Sequence, residues 1–483
     1  MKLFKTILLA TCLTSTTAFA TPKVSNPQPL IMAYWSNWNV YSNDKSGRAI
    51  PEADYGLPGS MDNKGVVRND DVQAKLEKIN ALTYDFFEVD NMGRVHFSDN
   101  WSDLRNDKNF KHNDIFFGNG GLCSNTNTAP ICWSYTPGDT TFKPRKNVPA
   151  DQWNHPKGNF QAFLDLNNTK GNLQKFISIG GYGHDDDFHR AFTHLNNFVS
   201  SIVALVNASG IDGIDLDFEP PAGTITTDDA NNYANLISRL RQALPNIIIS
   251  MPIPANAGWV ATVGNNWKSI SADVNYISLM AYDFHGGFDV NGKTGFNNSL
   301  YADPNSSYGE KEFSVEKAVK ALEAQGIPAN KILAGIPAYG RTLTGVPAGD
   351  QHGLYQSFNG IARGDLDEPQ CTMTPGGSCM GGFQYSYIVN HMLGQGFTAY
   401  QMKDAQHDGI VNAVWAYNPA AWVPPGSSAQ YSQVYISYAD ADYAKALAQY
   451  VKTNDLGGVI MWELRGDVAP SDTQHSLLDA LNG

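Results

Sequence analysis
Short apolar runs recur along the chain, each bounded by turn-forming residues. Eight of them read as strands: Leu30–Ser36 (LIMAYWS), Leu82–Val89 (LTYDFFEV), Lys175–Gly180 (KFISIG), Gly213–Phe218 (GIDLDF), Ile247–Ile253 (IIISMPI), Tyr276–Ala281 (YISLMA), Lys331–Pro337 (KILAGIP) and Gly458–Trp462 (GVIMW). Amphipathic helices lie between several of them. Tyr233, Leu236, Ile237, Leu240 and Leu244 follow a 3.6-residue period until Pro245 stops it. Ser314 is placed to cap a helix bearing Val315, Ala318, Val319 and Leu322, which Gly326 and Pro328 end. Strand–helix alternation repeated eight times predicts an α/β fold, a closed (β/α)8 TIM barrel over residues 21–483. A doubly wound open sheet is the competing architecture. It usually has fewer repeats, and no Gly-rich dinucleotide motif follows the first strand.

Two connections are too long to be plain crossovers. Residues 90–160 follow the second strand, and residues 342–438 separate the seventh from the eighth. Within the latter, Gln384–Leu393 looks helical, whereas AVWAYN and QVYISY look like strands, which predicts a small inserted α+β domain. Both insertions begin at the C-terminal end of a strand, the face where barrel enzymes build their sites, so they are expected to wall a groove.

The fourth strand breaks the apolar pattern. Residues 211–220 read IDGIDLDFEP, with Asp215, Asp217 and Glu219 alternating with Ile214, Leu216 and Phe218. Successive strand residues face opposite sides, so the three acids share a face at spacings of about 7 Å. On a plain surface they would repel one another and gain nothing. Facing an enclosed interior, their pKa values must be forced apart, and some must hold protons at neutral pH. Such an arrangement costs stability and serves acid chemistry.

Composition narrows the partner. With 47 acidic and 34 basic residues the formal net charge is −13, which argues against nucleic acid or an anionic membrane and fits a neutral ligand. The N-terminus, MKLFKTILLATCLTSTTAFA, carries Lys2 and Lys5, a short apolar run and Ala18-Phe19-Ala20. It reads as a secretory signal over residues 1–20, cleaved after Ala20, rather than a membrane anchor or the lipoprotein box that LATC loosely resembles. Four cysteines then remain, in two local pairs: Cys123 with Cys132 and Cys371 with Cys379. In an oxidising compartment these are expected to close two loops. No further apolar segment is long enough to span a bilayer, so a soluble, extracellular and monomeric protein is expected.

At this point the sequence resembles a known family. DGIDLDFE matches DxxDxDxE, the signature of the family 18 glycoside hydrolases, the chitinases. Ser178-Ile179-Gly180-Gly181 matches their SxGG, and Met280-Ala281-Tyr282-Asp283 their MxYD. The segments 335–341 (GIPAYGR) and 457–463 (GGVIMWE) resemble their seventh and eighth strands. The motifs cover nearly the whole mature chain in barrel order, and the insertion before the eighth strand looks like the family's chitinase insertion domain.

The resemblance implies chitin and chito-oligosaccharides as substrate, retention at the cleaved bond, and no cofactor or metal. Family 18 is an exception among retaining glycosidases in using the substrate itself as nucleophile. Glu219 is implied as general acid and base, with Asp217 steadying the substrate acetamido group. Asp215 shares a proton with Asp217, and Tyr282 hydrogen-bonds the acetamido group. Trp462 is implied as the apolar floor, and Met280 belongs to the same motif wall. Tyr34 and Trp35 either line the pocket or pack in the core. Asp283 and Arg341 either bind sugar hydroxyls or pair with each other on the rim. Gly180 and Gly181 are read as close backbone approaches and Ser178 as part of the motif. Asp212 sits at the strand entrance or supports it from below.

Trp38, Trp415 and Trp422 are candidate stacking platforms for further sugars. The sequence departs from the family's pattern at Phe218, expected to pack outward on a helix, and at Pro220 and Tyr182, where sugar contacts would differ. Three rivals remain. One is a chitinase-like lectin, in which the acid is usually replaced, whereas Glu219 is present. Another is an endo-β-N-acetylglucosaminidase acting on glycoprotein glycans. The third is a metal-dependent barrel hydrolase using GHDDDFH at 183–189, a cluster without clear ligand geometry.

Overall fold
The computed structural model describes residues 28–41, 70–99, 103, 115–118, 121–124, 131–133, 159–221, 224–290, 292–306, 313–367, 370–425 and 427–483. The expected signal segment, residues 1–20, lies outside the described residues.

The eight strands are β1 Leu30–Ser36, β2 Ala81–Val89, β3 Gln174–Gly180, β4 Gly213–Asp217, β5 Ile248–Pro254, β6 Tyr276–Met280, β7 Ile332–Pro337 and β8 Gly458–Trp462. Each pairs in parallel with the next. β8 pairs with β1, and β1 with β2, which closes the barrel. A short strand, Val95–Phe97, runs antiparallel along the end of β2.

Both faces of these strands are covered, which is why they read as nearly continuous apolar runs. Leu30, Met32 and Tyr34 turn inward to meet Phe176, Ile248, Tyr276, Leu333 and Ile460. Ile31, Ala33 and Trp35 turn outward into the larger core beneath the helices. Gly213 leaves room for the inward ring of Phe176, since a Cβ there would lie 2.2 Å from it. The lower barrel is therefore filled by side chains. Further up, the inward positions turn polar: Ser36, Thr83, Asp85, Ser178, Asp215, Asp217, Ser250 and Ser278 are all buried.

Local signals set the helices. Thr226 and Asp229 form a reciprocal capping box at the start of Thr227–Ala243, whose apolar stripe, Tyr233, Leu236, Ile237 and Leu240, is buried. Ser314 accepts from the Lys317 N–H and caps Val315–Ala324. The expected 384–393 helix is instead one α-turn, Tyr385–Tyr387, followed by a π-turn, Ile388–Met392. The last helix is Leu477–Asn482. No helix among the described residues is long and apolar enough to cross a membrane.

Between β7 and β8 the chain builds a separate antiparallel sheet in the order Gly382–Gln384, Tyr339–Leu343, Tyr431–Tyr438, Ile410–Trp422, Thr398–Asp404. It starts at Tyr339, two residues beyond the end of β7. Trp415 packs against Phe296 and Tyr400, and Trp422 against Phe383 and Phe397; both are buried. They are core residues of this sheet, not sugar platforms. Cys371 and Cys379 form a disulfide. In the connection after β2, a three-stranded sheet sets Cys123 opposite Cys132 in register. Their side chains lie outside the described residues.

Candidate active site
The acids climb β4 as its alternation requires. Asp215 is fully buried, and Asp217 is 4% exposed at the strand's last position. Glu219 lies two residues beyond, at the mouth, and is half-buried. Phe218 points outward between Phe188, Phe192 and Tyr233, as expected from its place in the alternation.

Each acid has a different environment. Asp215 Oδ2 accepts from the Ser178 hydroxyl at 2.8 Å and from Tyr34 Oη at 3.0 Å. Burial raises its pKa to about 6, with hydroxyl donors opposing the shift. Asp217 is held well above the usual carboxylate range by burial, then by the charges of Glu219, Asp215 and Asp85. Burial and the Asp283 charge push Glu219 up to about 7. The mouth of the barrel thus holds a carboxyl group raised to about 7, above two buried acids, of which Asp217 feels the charge of Asp215.

The glycines after β3 make this packing feasible. Gly180 has φ +100°, and a Cβ there would sit 2.4 Å from the Asp217 carbonyl oxygen. Gly181 has φ +94° and lies against the Phe86 ring, while its N–H donates to the Asp217 carbonyl at 2.9 Å. Asp212 stays at the opposite end, exposed, where its Oδ2 accepts from the Lys175 N–H at 2.8 Å. It ties the start of β4 to β3 and does not join the site.

Aromatic and polar walls surround the acids. Trp462, half-buried at the end of β8, stacks on Phe86 at 5.6 Å and meets Tyr34 at 5.3 Å. Trp38, 38% exposed, continues the series beyond Phe86. Trp35 faces the other way and packs on Tyr84 in the outer core. Met280 ends β6, and Tyr282 meets Tyr339 edge-on. Asp283 and Arg341 form a bidentate ion pair, at 2.7 and 2.8 Å. The Tyr339 hydroxyl donates to the same carboxylate at 2.8 Å, and Asn297 Oδ1 accepts from the Asp283 N–H. Asp283 keeps 36% of its side chain exposed.

GHDDDFH opens a helix, Asp185–Thr193, with three acids in its first turn, where they complement the helix dipole. Asp187 accepts from the Val89 N–H and pairs with Arg190, and His189 bonds Asp229. Asp185, Asp186 and His189 approach one another on the outer side of that turn.

Sequence reasoning missed several residues that gather here: Ser36, Asn39, Asp85, Phe86, Asn297, Tyr339 and Glu463. For Asp85 a signal existed. In LTYDFFEV an acid sits at an inward position of an apolar strand, the same anomaly that marked β4.

The model of the glycosyl hydrolases family 18 matches residues 30–467. The chain belongs to that family. The family 18 chain is 28% identical to Chitinase A1 of Niallia circulans, over 68% of this chain and 46% of that protein. It is 24% identical to Endochitinase 1 of Metarhizium robertsii, over 90% of this chain and 80% of that protein. Its fold is similar to that of Chitinase ChiA74 from Bacillus thuringiensis, with a TM-score of 0.64 at 22% identity, covering 94% of this chain and 69% of that one.

Proposed function
We propose that this family 18 chain is a secreted, monomeric chitinase that hydrolyses β-1,4-linked N-acetylglucosamine polymers with retention. The observation that carries this reading is the stack of Asp215, Asp217 and Glu219, with Glu219 at the mouth and its carboxyl raised to about 7. A general acid needs a pKa near its working pH, and burial supplies it. The names of the relatives, chitinases and an endochitinase, support the substrate class.

In the proposed reaction Glu219 gives its proton to the glycosidic oxygen as the bond to C1 breaks. The acetamido carbonyl oxygen of the same sugar bonds to C1, giving an oxazolinium ion. Asp217 accepts from the acetamido N–H and balances the positive charge, and Asp215 takes up the proton the pair shares. Ionised Glu219 then removes a proton from water, whose oxygen opens the ring at C1 and leaves the acid restored. Tyr282 would donate to the acetamido carbonyl, Trp462 would carry the apolar face of the reacting sugar, and Met280 would line its side. Asp283 spends its strongest bonds on Arg341 and would offer its exposed edge to hydroxyls. The scheme requires no metal or cofactor.

Mass spectrometry of the products released from chitin tests this, with Glu219→Gln alongside. Wild type is expected to yield N-acetylglucosamine oligomers, and the variant about 100- to 10,000-fold less. Chitin binding without release by either protein would return the lectin reading. Release from glycoprotein glycans but not from chitin would favour the endo-β-N-acetylglucosaminidase. Secretion predicts a mature N-terminus at Thr21, readable by terminal sequencing of the exported protein.

A further inference from the structure
The inward face of β2 carries an acid for which the reaction above has no task. Asp85 is fully buried. Tyr84 is in register with Ile177 and Ser178 with Asp215, so Asp85 and Asp215 stand at nearly the same height, with β3 between them. Two strand spacings separate β2 from β4, about 9–10 Å along the wall.

A relay of hydrogen bonds lies behind Asp85. The Ser36 hydroxyl donates to Asp85 Oδ2 at 2.8 Å, and the Ser36 backbone N–H donates to Glu463 Oε2 at 3.3 Å. Asn39 Nδ2 donates to the same Glu463 oxygen at 2.9 Å, and Arg465 donates to Asn39 Oδ1 at 3.0 Å. Among the described residues, Asp85 Oδ1 and Asp217 Oδ1 are both buried without a hydrogen-bond partner. Burying an acid with an unmatched oxygen is costly, and a neutral side chain would cost less. Acids held under such conditions are candidates for chemistry.

We propose that Asp85, backed by Glu463 through Ser36, is a positioning residue for the proton held between Asp215 and Asp217. The inference rests on the role proposed above for Asp217. Several groups face Asp85: Glu463 beyond β8 with Arg465 behind Asn39, Asp215 and Asp217 on β4, Ser178 on β3, and Tyr34 and Ser36 on β1. On the outer side of β2 itself stands Tyr84, whose hydroxyl donates to buried Asp103. Burial, then Glu463, raises Asp85, and Asp85 in turn adds to the upward push on Asp217.

The signs follow from coupling. Ionised Asp85 repels charge on Asp217, and protonated Asp85 is a neutral neighbour. Averaged over both forms, Asp85 can only strengthen the hold of Asp217 on its proton. Glu463 acts the other way, because its charge keeps Asp85 protonated and so weakens that push.

The test is the pH profile of kcat/KM on a soluble chito-oligosaccharide for wild type, Asp85→Asn and Glu463→Gln. Asn keeps the shape of Asp and can still accept from Ser36, so a purely structural role survives in it. The alkaline limb follows loss of protons from Glu219 and from the aspartate pair, and D85N, which removes the push on the pair, is expected to lower it by up to about one pH unit. That of E463Q is expected above wild type. A D85N profile that superimposes on wild type overturns the proposal. An E463Q limb that moves down overturns the relay, since Glu463 would then act on the catalytic acids directly. Should D85N not fold, the sign for E463Q decides. If wild type cleaves no chito-oligosaccharide, the proposed function fails instead. Thermal unfolding then reads Asp85 alone: an acid raised by folding loses its stabilising share as pH rises, so Tm should fall less steeply with pH in D85N, and parallel curves would count against the coupling.

Discussion

Tyr34→Phe removes one oxygen atom from the barrel interior and nothing else. That oxygen donates to Asp215 Oδ2 at 3.0 Å, and the Ser178 hydroxyl still donates to the same atom at 2.8 Å. A hydrogen bond to an ionised group contributes about 1.5–3 kcal/mol, so ionised Asp215 should lose roughly that much. This equals an upward shift of about one to two pH units from an already raised value of about 6. If the charge of the aspartate pair must balance the oxazolinium ion, the smaller ionised fraction at about pH 7 should lower kcat about 2- to 15-fold. Phe keeps the ring against Trp462, at 5.3 Å in the native chain, so KM should be nearly unchanged. Release of a fluorophore from a chito-oligosaccharide glycoside, followed across pH, separates the two parameters. A kcat–pH curve that superimposes on wild type would refute the claim that this bond tunes the acids. A rise in KM with constant kcat would mean that Tyr34 acts through packing.

Four further outcomes are expected. Gly180→Ala should lose about 1–3 kcal/mol from its φ of +100° alone, plus the clash with the Asp217 carbonyl, and denaturant titration reads the total. Glu219→Gln should be more stable than wild type above pH about 7: folding raises the Glu219 pKa, so its contribution is full in acid and is lost as pH rises through about 7, which Tm against pH will show. Replacing Cys371 and Cys379 together by Ser opens a loop of sequence separation 8 and should cost about 2.5 kcal/mol under oxidising conditions. Chelator should leave hydrolysis intact, and its loss would revive the metal reading of 183–189.

The barrel was legible because parallel strands covered on both faces must be apolar throughout, and each carries its own turn signals. The β4 acids were legible for the converse reason: a charge inside such a strand has no structural motive. The same logic applied to Asp85 in LTYDFFEV, but one acid in a strand is a weaker anomaly than three, and Glu463 lies past a strand end where an acid is ordinary. Helix limits followed caps that act within a few residues, such as Thr226 with Asp229 and Ser314 with Lys317. The π-turn after Tyr387 was not legible, because the apolar spacing that marks a helix does not tell a π-turn from an α-helix over so few residues.

Local order along the chain thus determined which side chains alternate, where helices begin and which residues carry acid chemistry. Tertiary structure alone decided which rings are exposed and which acids are near one another. Trp38 and Trp415 look alike in sequence, yet one stands at the rim and the other is sealed in a sheet. Asp85, Asp215 and Glu463 lie hundreds of residues apart at the extremes and meet only because the barrel closes β8 onto β1 and β1 onto β2. Burial then supplies the low dielectric in which their charges act on each other, and no stretch of chain carries that property by itself.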